Sequence, residues 1–511
     1  MITREDLQNN ALFLSCWYER SRPVQMICFG ILILSILLLS FLNASMQEDS
    51  VVKVMEVLFH TLVWVQALVL LVQGTLFASH MGSRERTSEV LDFHRNSPQS
   101  VDSKVLGLVF GSTWFEWGIF AAFFVLELPF TILPSVDLFQ VLLYNLSILM
   151  TGIFFHTSAA AIGLLSTQKK RGSSLIGILL LLWFGAPAFF YVLSASSSNL
   201  FVHLFGATAF HYIYPKSDIS LSFNGWIFTL DLPLIVMQAI VQAPLFWLMV
   251  RGIKRIYQLP NSPAWSKPEV LAFCGFIFLL TTGFFVADYA HIDQILAKDD
   301  YRFYPRDVEG FLKHGFGFYA FLYVAIGILI SFFSVPSYFK RSKYAVLAKK
   351  GLIKERTMFD DGATGLVTSL SYVLMGGLFL LPYIMTINCT ALHGTVSFLI
   401  LSSYVLAFAG FLEYYRLGRF RGNKIFFVTS LLVWWVVIPW TANILLHNRW
   451  SEHIYAAAIS PFFGTHYAAS MFLGDKTVEP IALMVSCFTA VFMWVLAWQE
   501  NMAVEKNSAA R

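Results

Sequence analysis

The sequence predicts an all-α, polytopic membrane protein of about twelve transmembrane helices, arranged as two six-helix pseudo-repeats with both termini cytoplasmic. Apolar stretches near residues 24–43, 54–79, 105–128, 139–166, 173–194, 226–250, 269–289, 315–335, 365–388, 393–413, 425–446 and 479–498 carry this prediction. Each has roughly the 20 residues an α-helix needs to cross the hydrocarbon layer. Composition agrees, with 57% hydrophobic and 13% charged residues and a mean hydropathy of +0.65; a soluble domain carries about 25% charge. Charge sorting sets the orientation. With the N-terminus inside, inner segments hold 27 of the 35 Lys and Arg and outer segments hold the other 8. Basic residues cross a membrane poorly and stay on the inner side.

The net charge of +4 therefore belongs to inner loops facing anionic lipid, and no loop carries a nucleic-acid module. Cys16, Cys28, Cys274, Cys389 and Cys487 have no paired spacing, and the 12 His show no ligand spacing, so neither a disulfide framework nor a metal site is expected. His203 and His211, like His453 and His466, share an external segment without forming a ligand pattern.

Along the chain, Leu7, Ala11, Leu14 and Tyr18 recur at helical spacing before Arg20, Arg22 and Pro23, which predicts an amphipathic helix over 5–19 at the inner interface. The basic segment from Arg251 to Val270, broken by Pro260, Pro263 and Pro268, divides the spans into six and six, with halves at 1–262 and 263–511. Two short echoes occupy matching places. Glu85-Arg86-Thr87 follows the second span and Glu355-Arg356-Thr357 the eighth; Phe205-Gly206 with Thr208 follows the fifth and Phe463-Gly464-Thr465 the eleventh. Parallel repeats of this kind are related by an axis along the membrane normal. The external segments 195–225 and 447–478 are rich in aromatic and small residues and read as helices dipping back into the outer leaflet, which requires cover from protein or a cavity.

Polar residues inside spans are the candidates for a translocation path. Glu116, between Trp114 and Trp117, falls about 11 residues into the third span, near mid-membrane at about 1.5 Å per residue. A charge there is costly and faces a cavity or a partner. Glu56 and His60 lie one turn apart on the second span, with Gln66 and Gln73 further along it; Asp231, Gln238 and Gln242 belong to the sixth, and Glu127 and Asp288 to the ends of the third and seventh. The competing account is hydrogen bonding between helices, a common use of polar side chains in membranes.

Between the second and third spans the chain reads Arg84-Glu85-Arg86-Thr87-Ser88-Glu89-Val90-Leu91-Asp92-Phe93-His94-Arg95-Asn96-Ser97-Pro98-Gln99-Ser100. Charges of both signs surround Leu91, and Ser97-Pro98 ends any helix before the next span. This loop resembles that of the ABC-2 type permease family, the transmembrane subunits of one class of ATP-driven exporter. Glu85 and Arg86 match its Glu-Arg start, Leu91 and Asp92 the second half of its Gly-Thr-Leu-Glu core, and Ser97, Pro98 and Ser100 its closing Ser-Pro-x-Ser. Glu89 and Val90 replace Gly-Thr. The polar His94-Arg95-Asn96 stands where the family is apolar, which makes the loop helix more water-exposed than usual. The resemblance covers the first half well; in the second only the span layout and Glu355, Arg356 and Thr357 support it.

The resemblance implies one chain supplying both halves of an exporter permease in a bacterial inner membrane, not itself an enzyme. Two cytoplasmic ATPase subunits would seat against the loops at 84–100 and 341–361, the first beginning at Arg84, with Glu85, Arg86, Glu89 and Asp92 as polar contacts. The chain has no Gly-Lys dipeptide and so no phosphate-binding loop; no cofactor is expected on it, and ATP and Mg belong to the partner. Two rivals remain. A secondary, ion-coupled transporter also has six plus six spans, but of the major facilitator loop pattern only Gly82 and Arg86 are present. A membrane-embedded transferase has only the external Asp299-Asp300 pair, set among Lys298, Arg302 and Arg306.

The topology makes the first prediction. Single Cys at Gly172, Ser262 or Ser342 should react with an impermeant thiol reagent only after permeabilisation, and Cys at Ser198 or Thr477 should react in intact cells. Labelling of Ser342→Cys from outside would reverse the second half.

Overall fold

The computed structural model describes residues 14, 23–47, 50–87, 90–165, 209, 221–223, 226–228, 231–258, 264–290, 320, 323–332, 334–350, 362–386, 391–418, 423–437, 441 and 480–509. They are helical apart from turns and two three-residue strands, β1 (Leu221–Phe223) and β2 (Trp226–Phe228), paired as a small sheet. The chain divides into two units, one of Met1–Ser222 with Trp226–Ala264, the other of Phe223–Gly225 with Trp265–Arg511.

It is a multi-pass membrane protein by the length and composition of its helices. Among the described residues six are long and apolar enough to span: Val51–Arg86, Trp114–Ile132, Leu138–Leu165, Leu234–Gln258, His393–Leu417 and Ala482–Asn507. Shorter apolar helices cover Ile33–Met46, Tyr323–Phe332, Leu366–Phe379 and Ile425–Trp435. Their outer faces are apolar as well. Leu34, Ile132, Phe488 and Trp498 are all exposed, as expected where lipid rather than water covers the protein. Hydroxyls within these helices turn back on their own backbone, Ser35 to the Ile31 carbonyl and Thr61 to that of Val57, each at 2.8 Å, so they present no unmet polar group to lipid.

In the first unit α1 (Pro23–Gln47) opens on a proline, whose missing N–H costs nothing at a helix start. It packs on α2 (Val51–Ala67), which runs through a π-helical stretch (Leu68–Gly74) into α3 (Thr75–Thr87). The continuous Val51–Arg86 rod has 36 residues. At about 1.5 Å per residue it is roughly 54 Å long, well beyond a hydrocarbon layer of about 30 Å, so its charged end stands clear of the apolar zone.

The short α4 (Val90–Asn96) follows, then α5 (Val101–Ser112) and α6 (Trp114–Glu127). The sequence predicts one span over 105–128; the structure breaks it at Thr113, whose backbone leaves the helical region at φ −121° and ψ 15°. The cause is local. Ser112 and Thr113 both donate their hydroxyls to the Val109 carbonyl, at 3.2 and 2.8 Å, competing with the backbone for the same acceptor. Trp117 then donates its indole N–H to the Thr113 hydroxyl at 3.0 Å and fixes the new helix start. A 3-10 turn (Leu128–Ile132) leads to α7 (Leu138–Leu165) and, after β2, to α8 (Asp231–Gln258).

Helices α3 and α7 cross closely. A Cβ on Gly82 would lie 2.5 Å from the Ala160 carbonyl oxygen, and one on Gly163 would meet that of Ser79. Two helix backbones touch where only glycine fits.

The second unit contains α9 (Lys267–Ala290), α10 (Tyr323–Phe332), α11 (Tyr338–Lys349), α12 (Leu366–Thr386), α13 (Ala391–Leu417), α14 (Lys424–Leu432) with a π-helical continuation (Val433–Val437), and α15 (Pro480–Ala509). Its core is aromatic. Tyr323 and Tyr372 stack at 5.1 Å beside Phe278, and the buried Tyr372 hydroxyl donates to the Tyr323 carbonyl at 2.5 Å.

Replacing Gly82 or Gly163 with Val should force α3 and α7 apart at a cost of about 1–3 kcal/mol. Thermal unfolding of the purified chain in detergent reads this. An unchanged midpoint in both variants would mean that the crossing carries no load.

Candidate functional site

Polar residues collect along the interior of the first unit. Leu70, Trp117 and Gly152 meet there, with a Cβ position on Gly152 2.8 Å from the Leu70 side chain and 3.1 Å from that of Trp117. Residues 70 and 152 lie near the centres of the Val51–Arg86 and Leu138–Leu165 helices. This places the neighbouring Glu116, fully buried in the first turn of α6, close to mid-depth. The break at Thr113 creates a helix N-terminus at that level, whose partial positive charge favours a carboxylate. His156, also fully buried, stands against Trp117 with ring centroids 5.1 Å apart. Its Nε2 lies 2.8 Å from the Leu70 carbonyl, which belongs to the π-helical stretch. A π turn alters the backbone pairing of the helix, and here a side chain engages one of its carbonyls.

Towards the Glu56 end of the unit, Gln66 donates to Asn145 Oδ1 at 2.8 Å and to the Phe120 carbonyl at 3.2 Å. Asn145 donates in turn to Glu127 Oε2 at 2.7 Å and to the Val141 carbonyl at 3.0 Å. On the other side of α7, Gln238 accepts from Ser147 at 2.5 Å and donates to the Thr151 hydroxyl at 2.9 Å, where Gln242 also donates at 3.1 Å. These amides join α7 to α8, a use the helix-to-helix account anticipates. Glu56 lies apart, accepting from Ser135 at 2.5 Å, and His60 is half-buried one turn on.

The candidates of the loop at 84–100 form a second cluster. Glu85 is buried, with Oε1 2.6 Å from His94 Nδ1 and accepting from the Tyr257 hydroxyl at 3.3 Å. Arg95 grips the Ile256 carbonyl through Nε at 3.1 Å and Nη2 at 2.7 Å, and reaches Asp92 at 2.6 Å. Buried Lys104 donates to the carbonyls of Arg95 at 3.4 Å and Ser97 at 3.3 Å; burial holds its ammonium below the ordinary lysine value. Leu91 is buried beneath α4, while Arg84, Asp92, Phe93 and Pro98 are exposed and Arg86 and Ser97 are half-exposed.

Two expectations are corrected here. The polar His94-Arg95 pair does not make α4 wetter; both side chains turn inward because a buried carboxylate and a helix-end carbonyl await them. Glu85, expected to face a partner protein, is engaged within the chain by His94 and Tyr257.

In the second unit four consecutive residues are held by their backbone. Arg341 donates to the Gly362 carbonyl at 3.4 Å, Lys267 to those of Ala363 and Thr364 at 2.8 and 3.3 Å, and the Gly365 N–H donates to Glu413 at 2.9 Å. Asn501 donates to the other Glu413 oxygen at 2.7 Å, and Arg341 pairs with Glu505 at 2.5 Å. The segment so fixed directly precedes α12.

Several sequence candidates lie outside the described residues: the 5–19 helix except Leu14, the 173–194 span, most of 195–225, all of 447–478, Glu89, Glu355, Arg356, Thr357, and the Asp299-Asp300 pair. The side chains of Thr87, Asp231 and Asp288 do as well. Asn145, His156, Lys104 and Glu413 are the residues that sequence reasoning missed. Each is a polar side chain within or at the edge of an apolar run, the one signal that could have found them. Among the described residues no group of three His, Cys, Asp or Glu is placed to hold a metal ion. Comparison with protein-family models, characterised proteins and solved structures finds no match.

The tie between Glu85 and His94 should restrain α4. Leaving one of two buried hydrogen-bonding partners without the other costs about 1–3 kcal/mol. His94→Leu should therefore speed amide hydrogen exchange across Val90–Asn96 by that amount of local opening, with the spans unaffected. Unchanged exchange would show that α4 is held by other contacts.

Proposed function

We propose that this chain is the transmembrane permease of an ATP-binding cassette exporter of the ABC-2 type, with twelve spans in two six-helix halves and both ends in the cytoplasm of a bacterial inner membrane. On this reading the chain catalyses no reaction. ATP and Mg bind to two separate ATPase subunits, which seat beneath the loops at 84–100 and 341–361.

The observation that carries the reading is α4. It is a short charged helix of 7 residues, about two turns, fastened on its inner side by Leu91, His94 and Arg95 and closed by Lys104. Its outer side presents Asp92 and Phe93. A helix clamped to three others and open on one face is suited to transmit a push from a soluble subunit. A mobile loop would absorb the push instead. The Gly362–Gly365 segment, held by Lys267, Arg341 and Glu413, gives the second unit a comparably fixed point beside its own cytoplasmic connection.

An ion-coupled transporter is the second reading, and one observation favours it. The third span is discontinuous at mid-depth with Glu116 at the break, an arrangement that secondary transporters use for substrate and coupling-ion sites.

Asp92→Ala combined with Phe93→Ala should separate the readings while leaving Glu85, His94 and Arg95 intact. Losing the anchor and a charge contact at such an interface costs roughly 2–5 kcal/mol, more than tenfold in affinity. An ATPase subunit should co-purify with the wild-type chain from native membranes and be lost from the double variant. Recovery of the wild-type chain with no ATPase would remove the exporter reading.

A further inference from the structure

Hydrogen-bond accounting around Glu127 shows a site with acceptors to spare and no donors left. Gln66 has two amide hydrogens, spent on Asn145 and the Phe120 carbonyl. Asn145 likewise has two, spent on Glu127 and the Val141 carbonyl. What remains is Oε1 of Gln66 and Oε1 of Glu127, both buried and without a hydrogen-bond partner among the described residues. Both side chains belong to residues with 0% exposure. One hydrogen of each amide runs towards the carboxyl group, from Gln66 to Asn145 and from Asn145 to Glu127, and the other goes to a backbone carbonyl, so no amide donor is left for the two remaining oxygens.

Three features add to the negative potential. Glu127 closes α6, at the helix end that carries the negative half of the peptide dipole. The surrounding stretches are apolar, with Leu62, Val65, Val69 and Phe123 forming a buried cluster on the same elements. Finally, the stretches that carry Gln66, Glu127 and Asn145 bring no counter-charge of their own, since no Lys or Arg lies between Lys53 and Arg84 or between Lys104 and Lys169. Lys53 is exposed and 13 residues from Gln66, about 20 Å along a helix. The other titratable groups on the packed elements are Glu56 and His60 on α2, Glu116 deeper on α6, Asp137 ahead of α7, and Tyr144 and His156 on α7. Among the described residues none of them contacts Glu127; the Tyr144 hydroxyl donates to the Val63 carbonyl. A carboxylate buried without a positive partner costs several kcal/mol in a low-dielectric interior.

We propose that the first unit binds an exchangeable small cation at the Glu127 carboxylate, with Asn145 as the positioning residue that links it to the buried amide of Gln66. The cation class comprises a proton on the carboxyl group, a monovalent metal ion, or the ammonium group of a transported molecule. All three supply the positive charge and the donor or Lewis-acid character that the chain lacks there. Proton binding converts the carboxylate to a neutral carboxylic acid, and metal or ammonium binding neutralises it without covalent change. The inference needs only the membrane-spanning first unit and stands whether transport is driven by ATP or by an ion gradient.

The test uses the full chain in lipid nanodiscs, comparing wild type, Glu127→Gln, and Asp137→Asn as a carboxyl control that keeps its capping oxygen. Infrared difference spectroscopy reads a protonated carboxyl through its carbonyl stretch. Equilibrium binding of radioactive sodium reads the metal ion, and a fluorescent quaternary ammonium reads the organic cation. One of these signals should be present in wild type and in Asp137→Asn and absent in Glu127→Gln. Gln66→Met keeps the volume and removes the amide to which Asn145 is linked; it should weaken the same signal about tenfold, the equivalent of one lost hydrogen bond. This second variant keeps the test informative if Glu127→Gln does not fold. The proposal fails if no signal differs between wild type and the variants that fold. An ATPase absent from the pull-down, with the Glu127 signal intact, would overturn the exporter reading alone.

Discussion

Hydrocarbon offers no hydrogen bonds, and the internal arrangement of this protein follows from that constraint. A polar group placed in a spanning helix must find its partner inside the protein or remain unmet at a cost of several kcal/mol. Gln238 and Gln242 satisfy themselves on Ser147 and Thr151, and thereby set how α7 and α8 pack. Gln66 and Asn145 do the same for α2, α6 and α7. The requirement for partners thus doubles as a packing code between helices that would otherwise be equally greasy on every side. Glu127 is one of the places where the account does not close among the described residues.

The same constraint explains both departures from regular helix in the first unit. At Thr113 two hydroxyls compete for the Val109 carbonyl, and the helix restarts with Trp117 capping the break. In the π-helical stretch Leu68–Gly74, the Leu70 carbonyl is taken by His156 and that of Leu71 by the Thr75 hydroxyl. At both irregularities side chains from within the unit engage backbone carbonyls, those of Val109, Leu70 and Leu71. Both sit near mid-depth, where non-helical backbone is tolerated only if protein or a water-filled cavity covers it.

Helix type and the multi-pass character were legible in the sequence, because apolar length is a one-dimensional property. Gln66 and Glu116 were legible as anomalies within apolar runs. Their roles were not, since Asn145 lies 79 residues from Gln66 and only the fold brings them together. The inward turn of His94 and Arg95 was misjudged for the same reason. A polar triplet in a loop reads as wet until its partners are known, and here they are Glu85, 9 residues earlier, and Ile256, 161 residues later. The break in the third span was hidden differently. Gly111-Ser112-Thr113 carries the signal for a helix break, but an average over hydropathy passes across three small residues without registering it.

One helical rod joins the two clusters. Gln66, at the polar core, and Glu85, at the base of α4, are 19 residues apart on the continuous Val51–Arg86 helix, about 28 Å at helical rise. Along most of that length the rod is regular α-helix, and at the Gly82–Gly163 crossing its backbone lies against that of α7. Its one irregular section is the π-helical stretch, which lies between the clusters and is braced from α7 by His156. On the permease reading, a push delivered at α4 would therefore be taken up at that stretch or be carried beyond it to Gln66. Spatial continuity alone is not coupling, which needs an element with two arrangements that both ends can bias. The π turn meets that description better than any regular helix nearby, because shifting its hydrogen bonds by one residue would convert it to α-helix and change the carbonyl offered to His156. The His156 brace thus meets the rod at its one irregular section, the seven residues that lie between the α4 cluster and the Gln66 end of the Glu127 chain.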